Sequence, residues 1–159
     1  MDVRWEKISS DDTTILIRIN VKVNKPVEYL RDANFVFEYN KDEISFARNH
    51  SIGNKDTDYI WQAGFGPNDS TFCTVTRLNY NELSINIHIE SLTGIFVSSE
   101  TFTPVIDLKF RKIAKVNTTK LEWKMETRDG RIFETVFDKD FNAYDVGEGW
   151  DTPFWVKLE

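Results

Sequence analysis

A chain of 159 residues can bury a hydrophobic core without disulfide or metal staples, and it fits a single domain over 1–159. Hydrophobic residues make up 40% and charged residues 29%, the balance of a globular protein rather than a disordered tail. The net charge is −6, with no Lys/Arg run longer than a pair, which excludes nucleic acid as an expected partner because such binding rests on a basic footprint. No apolar run approaches the roughly 20 residues that span a bilayer, so membrane insertion is not expected.

Taken in chain order, the elements alternate apolar and polar side chains with period 2. A first strand is expected near 3–8. Ile15, Ile17, Ile19, Val21 and Val23 then alternate with Leu16, Arg18, Asn20 and Lys22. Pro26 ends that run, because proline cannot donate to a central ladder. Phe35, Phe37 and Tyr39 alternate with Val36, Glu38 and Asn40; Lys41–Arg48 is too short for more than a turn. The Gly- and Asn/Asp-rich stretch 49–70 reads as the longest connection, of the kind that is functional or mobile. Strands follow near 72–79 and over Leu83, Ile85, Ile87 and Ile89, separated by Asn79-Tyr80-Asn81. Ile106, Leu108 and Phe110 oppose Asp107, Lys109 and Arg111; Leu121, Trp123 and Met125 oppose Glu122, Lys124 and Glu126. Asp129-Gly130 is a hairpin signal leading into a strand near 131–138.

One apolar and one polar face per strand is the pattern of antiparallel sheets packed on one side. The fold class is all-β: an antiparallel β-sandwich of about eight or nine strands. Its expected core holds Ile17, Ile19, Phe35, Phe37, Ile85, Ile87, Leu108, Phe110 and Trp123. Residues 138–159 form an acidic, aromatic tail, expected to be irregular and docked on the sandwich through Phe141, Trp150 and Phe154. Aromatic residues at that density offset their ordering entropy by burial.

The segment Leu30–Phe46, an alternating strand closing on Tyr39-Asn40, resembles the early strand of cohesin-like domains. Thr103–Phe110 is similar to their penultimate strand, and Leu83–Glu90 sits where the preceding one would. The resemblance covers roughly residues 12–137. It implies a jelly-roll sandwich shared by cohesins and some carbohydrate-binding modules, in secreted multidomain proteins of bacteria. It transfers no binding residue.

No catalytic motif is present. The two histidines are His50, in the long connection, and His88, on the polar face of its strand, and no Gly-x-Ser-x-Gly, His-Glu-x-x-His or phosphate loop accompanies them. Cys73 is the sole cysteine and shares a face with Val75, which makes it a packed thiol and excludes an internal disulfide. Two runs alternate oxygen ligands as calcium requires: Asn54 to Asp58, with Asp56 and Asp58, and Asp138 to Asn142, with Asp138, Asp140 and Asn142. Neither completes an EF-hand, and no cofactor is required. Tyr59 and Trp61 in the long connection, with Tyr144, Trp150 and Trp155 in the tail, are the candidate ligand-binding rings, since exposed rings anchor protein interfaces and stack on sugars.

The resulting expectation is a non-catalytic binding or scaffolding module at the cell surface or in a secreted protein. Its partner is a protein; the alternative is a polysaccharide held on a Trp/Tyr platform. The chain opens Met-Asp-Val-Arg-Trp without a signal-peptide pattern, so the leader of a secreted protein is expected outside this sequence. Met1 and Leu158-Glu159 read as cloning additions. Asn49, Asn68 and Asn117 stand in Asn-x-Ser/Thr sequons.

Overall fold

The computed structural model describes residues 1–24, 29–46, 58–62, 64–90, 94–124, 136–138 and 147–159. Among them are twelve strands and no helix: β1 (Asp2–Ser10), β2 (Thr14–Lys22), β3 (Tyr29–Tyr39), β4 (Ile44–Ser45), β5 (Tyr59–Trp61), β6 (Thr71–Asn79), β7 (Glu82–Ile89), β8 (Ile95–Phe96), β9 (Thr103–Lys112), β10 (Thr118–Trp123), β11 (Val136–Asp138) and β12 (Phe154–Lys157). They form two antiparallel sheets. The first runs β1-β2-β9-β4, with β5 also paired to β9; the second runs β12-β10-β3-β7-β6, with β8 and β11 also paired to β3. The count exceeds expectation because β4, β5 and β8 are two or three residues long, too short for alternation to register. The Asp129-Gly130 turn and Met125 lie outside the described residues.

Alternation decides which side chains meet. All nine expected core residues are buried, and Ile15, Ile17, Ile19 and Val21 of β2 are fully so. The two inner faces press these rows together, as aligned sandwiches do. Between them lies an aromatic cluster. Trp5 stacks on Trp123 at 4.2 Å, Phe37 meets Trp5 edge-on at 4.9 Å, and Trp150 stacks on Phe35 at 5.8 Å. Three of the chain's five tryptophans, Trp5, Trp123 and Trp150, are therefore core residues.

The tail is more regular than expected. Its last part forms β12, an edge strand pairing Leu121 with Phe154 and Thr119 with Val156. Ahead of β12, residues 147–150 lie along β1: Val3 N donates to Glu148 O (2.9 Å), Gly147 N to Met1 O (3.0 Å), and Trp150 Nε1 to Met1 O (2.8 Å). Buried Asp2 accepts from Glu148 N at 3.1 Å and pairs with Lys22 at 3.3 Å. At the far end of β1, Lys7 Nζ donates to the carbonyls of Lys157 (3.0 Å) and Glu159 (3.1 Å), and Ser10 Oγ to that of Leu158 (3.3 Å). Met1 and Leu158, read as additions, are both buried in the core because each brings an apolar side chain to a sandwich edge.

The β1–β2 turn is organised by one carboxylate. Asp11 accepts from Thr13 N (2.8 Å), Thr14 N (2.7 Å), Thr13 Oγ1 (3.1 Å) and Thr14 Oγ1 (2.8 Å). These hydrogen bonds, the backbone one from Thr13 first, hold its pKa well below the ordinary 3.8. A depressed carboxylate contributes stability that is complete above its unfolded value and is lost as pH falls toward the folded one. The melting-temperature gap between wild type and Asp11→Ala is expected to stay flat from about pH 7 to about pH 4 and to narrow below that. A gap that narrows on the alkaline side would refute this reading of the turn.

Candidate functional site

A two-sheet sandwich offers two outer faces, and they differ in how their polar groups are used. On the first sheet, Arg18 makes a fork to Asp107 (Nε–Oδ1 2.6 Å, Nη2–Oδ2 2.9 Å), and Gln62 Nε2 adds a third bond to Asp107 at 3.2 Å. The Asp107 hydrogen bond raises the Arg18 pKa further. Asn20 Nδ2 donates to Glu6 Oε2 (3.3 Å), and the Arg4 guanidinium lies 4.3 Å over the Phe102 ring. That face is closed by its own pairs. A partner docking there would have to break them.

The outer face of the second sheet is built otherwise. Strand register aligns Phe72, His88 and Asp32 in one row across β6, β7 and β3; Thr74, Asn86 and Asn34 in the next; Thr76, Ser84 and Val36 in a third, where Thr76 is exposed and Ser84 and Val36 are buried. The middle rows are uncharged. Ser84 Oγ donates to Asn34 Oδ1 (3.0 Å) and Asn86 Nδ2 to Ser84 Oγ (3.2 Å). At one end His88 Nδ1 is hydrogen-bonded to Asp32, and the Phe72 ring lies roughly parallel to the imidazole at 6.4 Å. At the other end Lys124 bridges Glu82 and Glu38, the latter at 3.3 Å. The Glu82 hydrogen bond raises the Lys124 pKa. Burial pulls the Glu82 carboxyl upward, and its hydrogen bonds, led by that from Lys124, outweigh this and hold it low. Apolar groups stand around the rim: Phe72 (55% exposed), Leu78 (53%) and Trp155 (65%). Trp155 lies over the Lys120 ammonium at 5.7 Å and lines a groove of about 270 Å³ with Glu38, Glu43, Asn81 and Glu122.

No protein-family sequence model matches the chain, and no curated protein sequence does. Solved structures do. The sixth cohesin of Acetivibrio cellulolyticus scaffoldin B, solved in complex with a Cel5 dockerin, superposes with a TM-score of 0.70 at 10% identity, over 99% of this chain and 98% of that one. The cohesin module of a Clostridium perfringens family 33 glycoside hydrolase gives 0.64 at 11% identity, over 98% and 94%. A non-cellulosomal cohesin from the archaeon Archaeoglobus fulgidus gives 0.56 at 12%, over 91% and 84%. This is a cohesin-like β-sandwich. The likeness extends beyond the 12–137 stretch that carried the sequence resemblance and takes in the tail.

Of the five rings expected to bind ligand, the cohesin-like sandwich scatters the four that are described. Tyr59 and Trp61 stand on β5 in the first sheet, half-buried against the core, and meet edge-to-face at 74° rather than as a flat row. Trp150 is a core residue, so its ring has no face to offer; only the docking role expected of it remains. Trp155 is on the second sheet, exposed. Tyr144 lies outside the described residues, as do Asp56, Asp140 and Asn142 of the calcium set; Asp58 is buried, and Asp138 is described only as backbone of β11. No cluster of three or more His, Cys, Asp or Glu side chains fit for a metal occurs among the described residues. Cys73 is a buried thiol whose pKa burial pushes up. The rim residues Phe72 and Leu78 were missed by sequence reasoning, although parity exposes them. They share even positions with Thr74 and Thr76, while Cys73 and Val75 take the odd, inward ones.

Proposed function

We propose that the chain is a non-catalytic protein-binding module of a secreted or cell-surface protein, and that its partner docks on the outer face of β6-β7-β3-β10. One observation carries this: among the described residues of the two outer faces, only those of this one combine an uncharged hydrogen-bonding centre with large exposed apolar side chains at the rim. Depletion of charge in the centre and exposed aromatic anchors are what protein interfaces need. The cohesin neighbour solved with a dockerin makes a dockerin-like module the first partner to try. A sugar platform draws no support from Tyr59, Trp61 and Trp150, which form no exposed row.

The test is calorimetric titration against a panel of dockerin modules. Asn86→Arg, which places an unpaired charge in the centre of the open face, is expected to raise the Kd at least about tenfold without shifting the melting temperature. Lys109→Glu, on the outer face of the first sheet, is expected to leave binding unchanged. Loss of binding in Lys109→Glu with retention in Asn86→Arg would move the interface to the other sheet. Failure of every dockerin to bind would overturn the dockerin reading.

A further inference from the structure

Strands at sheet edges present unpaired N–H and C=O groups that recruit other strands unless they are covered, charged, bulged or short. This chain protects its edges selectively. The edge of β1 is covered by residues 147–150 through Val3–Glu148 and Met1–Gly147 hydrogen bonds. The C-terminal residues after β12 are held by Lys7 and Ser10 side chains. At the far side of the first sheet, β4 and β5 are only two and three residues long.

The edge strand β6 is neither short nor covered along its length by any of the described residues. It is nine residues long, contains no proline, and carries a single charge, Arg77. Among the described residues its only pairing besides β7 is a bridge from Asn68 to Thr71, at its first residue. Its register irregularity falls at the end, between Arg77 and Asn79. Phe72 and Leu78 are both more than half exposed.

We propose that β6 pairs antiparallel with β6 of a second copy of this chain, about a two-fold axis at Val75. The sequence around Val75 is self-complementary in that register. Thr74 falls opposite Thr76 of the second copy and Cys73 opposite Arg77, with Phe72 flanking the end of the ladder at which the irregularity leaves Leu78. Thr–Thr is a favourable cross-strand pair, and the exposed Phe72 and Leu78 side chains bring apolar surface together at the ladder's ends. The strip itself adds no charge repulsion between two copies. Two molecules of net charge −6 meet here along a strip whose outward residues, Phe72, Thr74, Thr76 and Leu78, are all uncharged. The two Arg77 side chains are offset by four strand positions, about 13 Å. A two-fold contact of this kind is isologous and closes at the dimer. It joins the two second sheets into one and places their open faces side by side. One strand pair buries less than the ~1,200 Å² of a standard interface, so the dimer is expected to be concentration-dependent.

This inference stands independently of the proposed partner. Sedimentation equilibrium is expected to show the mass rising from 18.6 kDa toward twice that value with concentration. Thr74→Lys with Thr76→Lys brings like charges together across the axis and is expected to raise the dimer Kd at least about tenfold. Thr74→Lys with Thr76→Glu sets opposite charges at the same facing positions and is expected to restore dimerisation. Both threonines are exposed, and thermal melts of each variant check that the fold is intact. A monomer at about 1 mM, or a dimer that the double lysine leaves intact, would overturn the proposal. A lysine–glutamate variant as monomeric as the double lysine would overturn the Val75 register.

Discussion

Phe37→Ala is expected to lower the free energy of unfolding by about 3–5 kcal/mol, read as a shift of the urea midpoint. Phe37 is fully buried near the C-terminal end of β3, the strand to which β7, β8, β10 and β11 all pair. Its ring meets Trp5 edge-on at 4.9 Å and Trp123 edge-on at 5.9 Å, so it joins β1 of the first sheet to β3 and β10 of the second. Truncation removes the transfer free energy of the ring and leaves a cavity walled by two indoles. Those large flat groups cannot collapse into the space without leaving their own stacking geometry at 4.2 Å. Phe72→Ala is the control. That ring has the same chemistry at 55% exposure, and its loss should change stability by no more than about 0.5 kcal/mol. Equal costs at the two positions would mean that Phe37 is not a core residue.

The contrast between Phe37 and Phe72 also shows what sequence parity can and cannot reveal. Alternation placed Ile17, Phe37, Leu108 and their neighbours inward because a strand has only two faces, and one must be apolar to bury anything. The same rule assigns Phe72 outward, but only once Cys73 and Val75 are known to face in. Five tryptophans stand on the page as equals, yet burial depends on which edge each one reaches. Trp150 is carried inward with a hydrogen bond to Met1, 149 residues away, and no local pattern encodes a contact at that separation. Trp155 stays outside because β12 pairs with β10 in a register that sets it beside Lys120. The open face was hidden for a related reason. Asn34, Ser84 and Asn86 look like ordinary solvent-facing residues until strand order places β3 beside β7.

Gly149→Ala is expected to cost about 3 kcal/mol or more, because it combines strain with a clash that no side chain can relieve. Gly149 has φ +91°, where an L-residue pays about 1–2 kcal/mol. A Cβ there would stand 2.0 Å from Val3 O and 3.1 Å from Val3 C, both backbone atoms of β1 held in a ladder with β2. Relief therefore requires residues 147–150 to lift away. That breaks the Val3–Glu148 and Met1–Gly147 hydrogen bonds and the one from Trp150 Nε1 to Met1 O. Each is worth about 1 kcal/mol, and a buried indole N–H left without its acceptor costs more. The Trp150 ring, 5.8 Å from Phe35 and 5.1 Å from Trp123, would lose its place in the aromatic cluster as well. Gly64→Ala separates the two causes, since Gly64 has φ +86° but nothing within 4 Å of the added carbon. It should therefore cost only the conformational strain of about 1–2 kcal/mol. Urea titrations of the two variants in parallel decide the matter. If Gly149→Ala is no worse than Gly64→Ala, the tail is not latched to β1 through this close approach. If it is worse and also raises tryptophan accessibility to acrylamide quenching, the latch is a structural part of the sandwich.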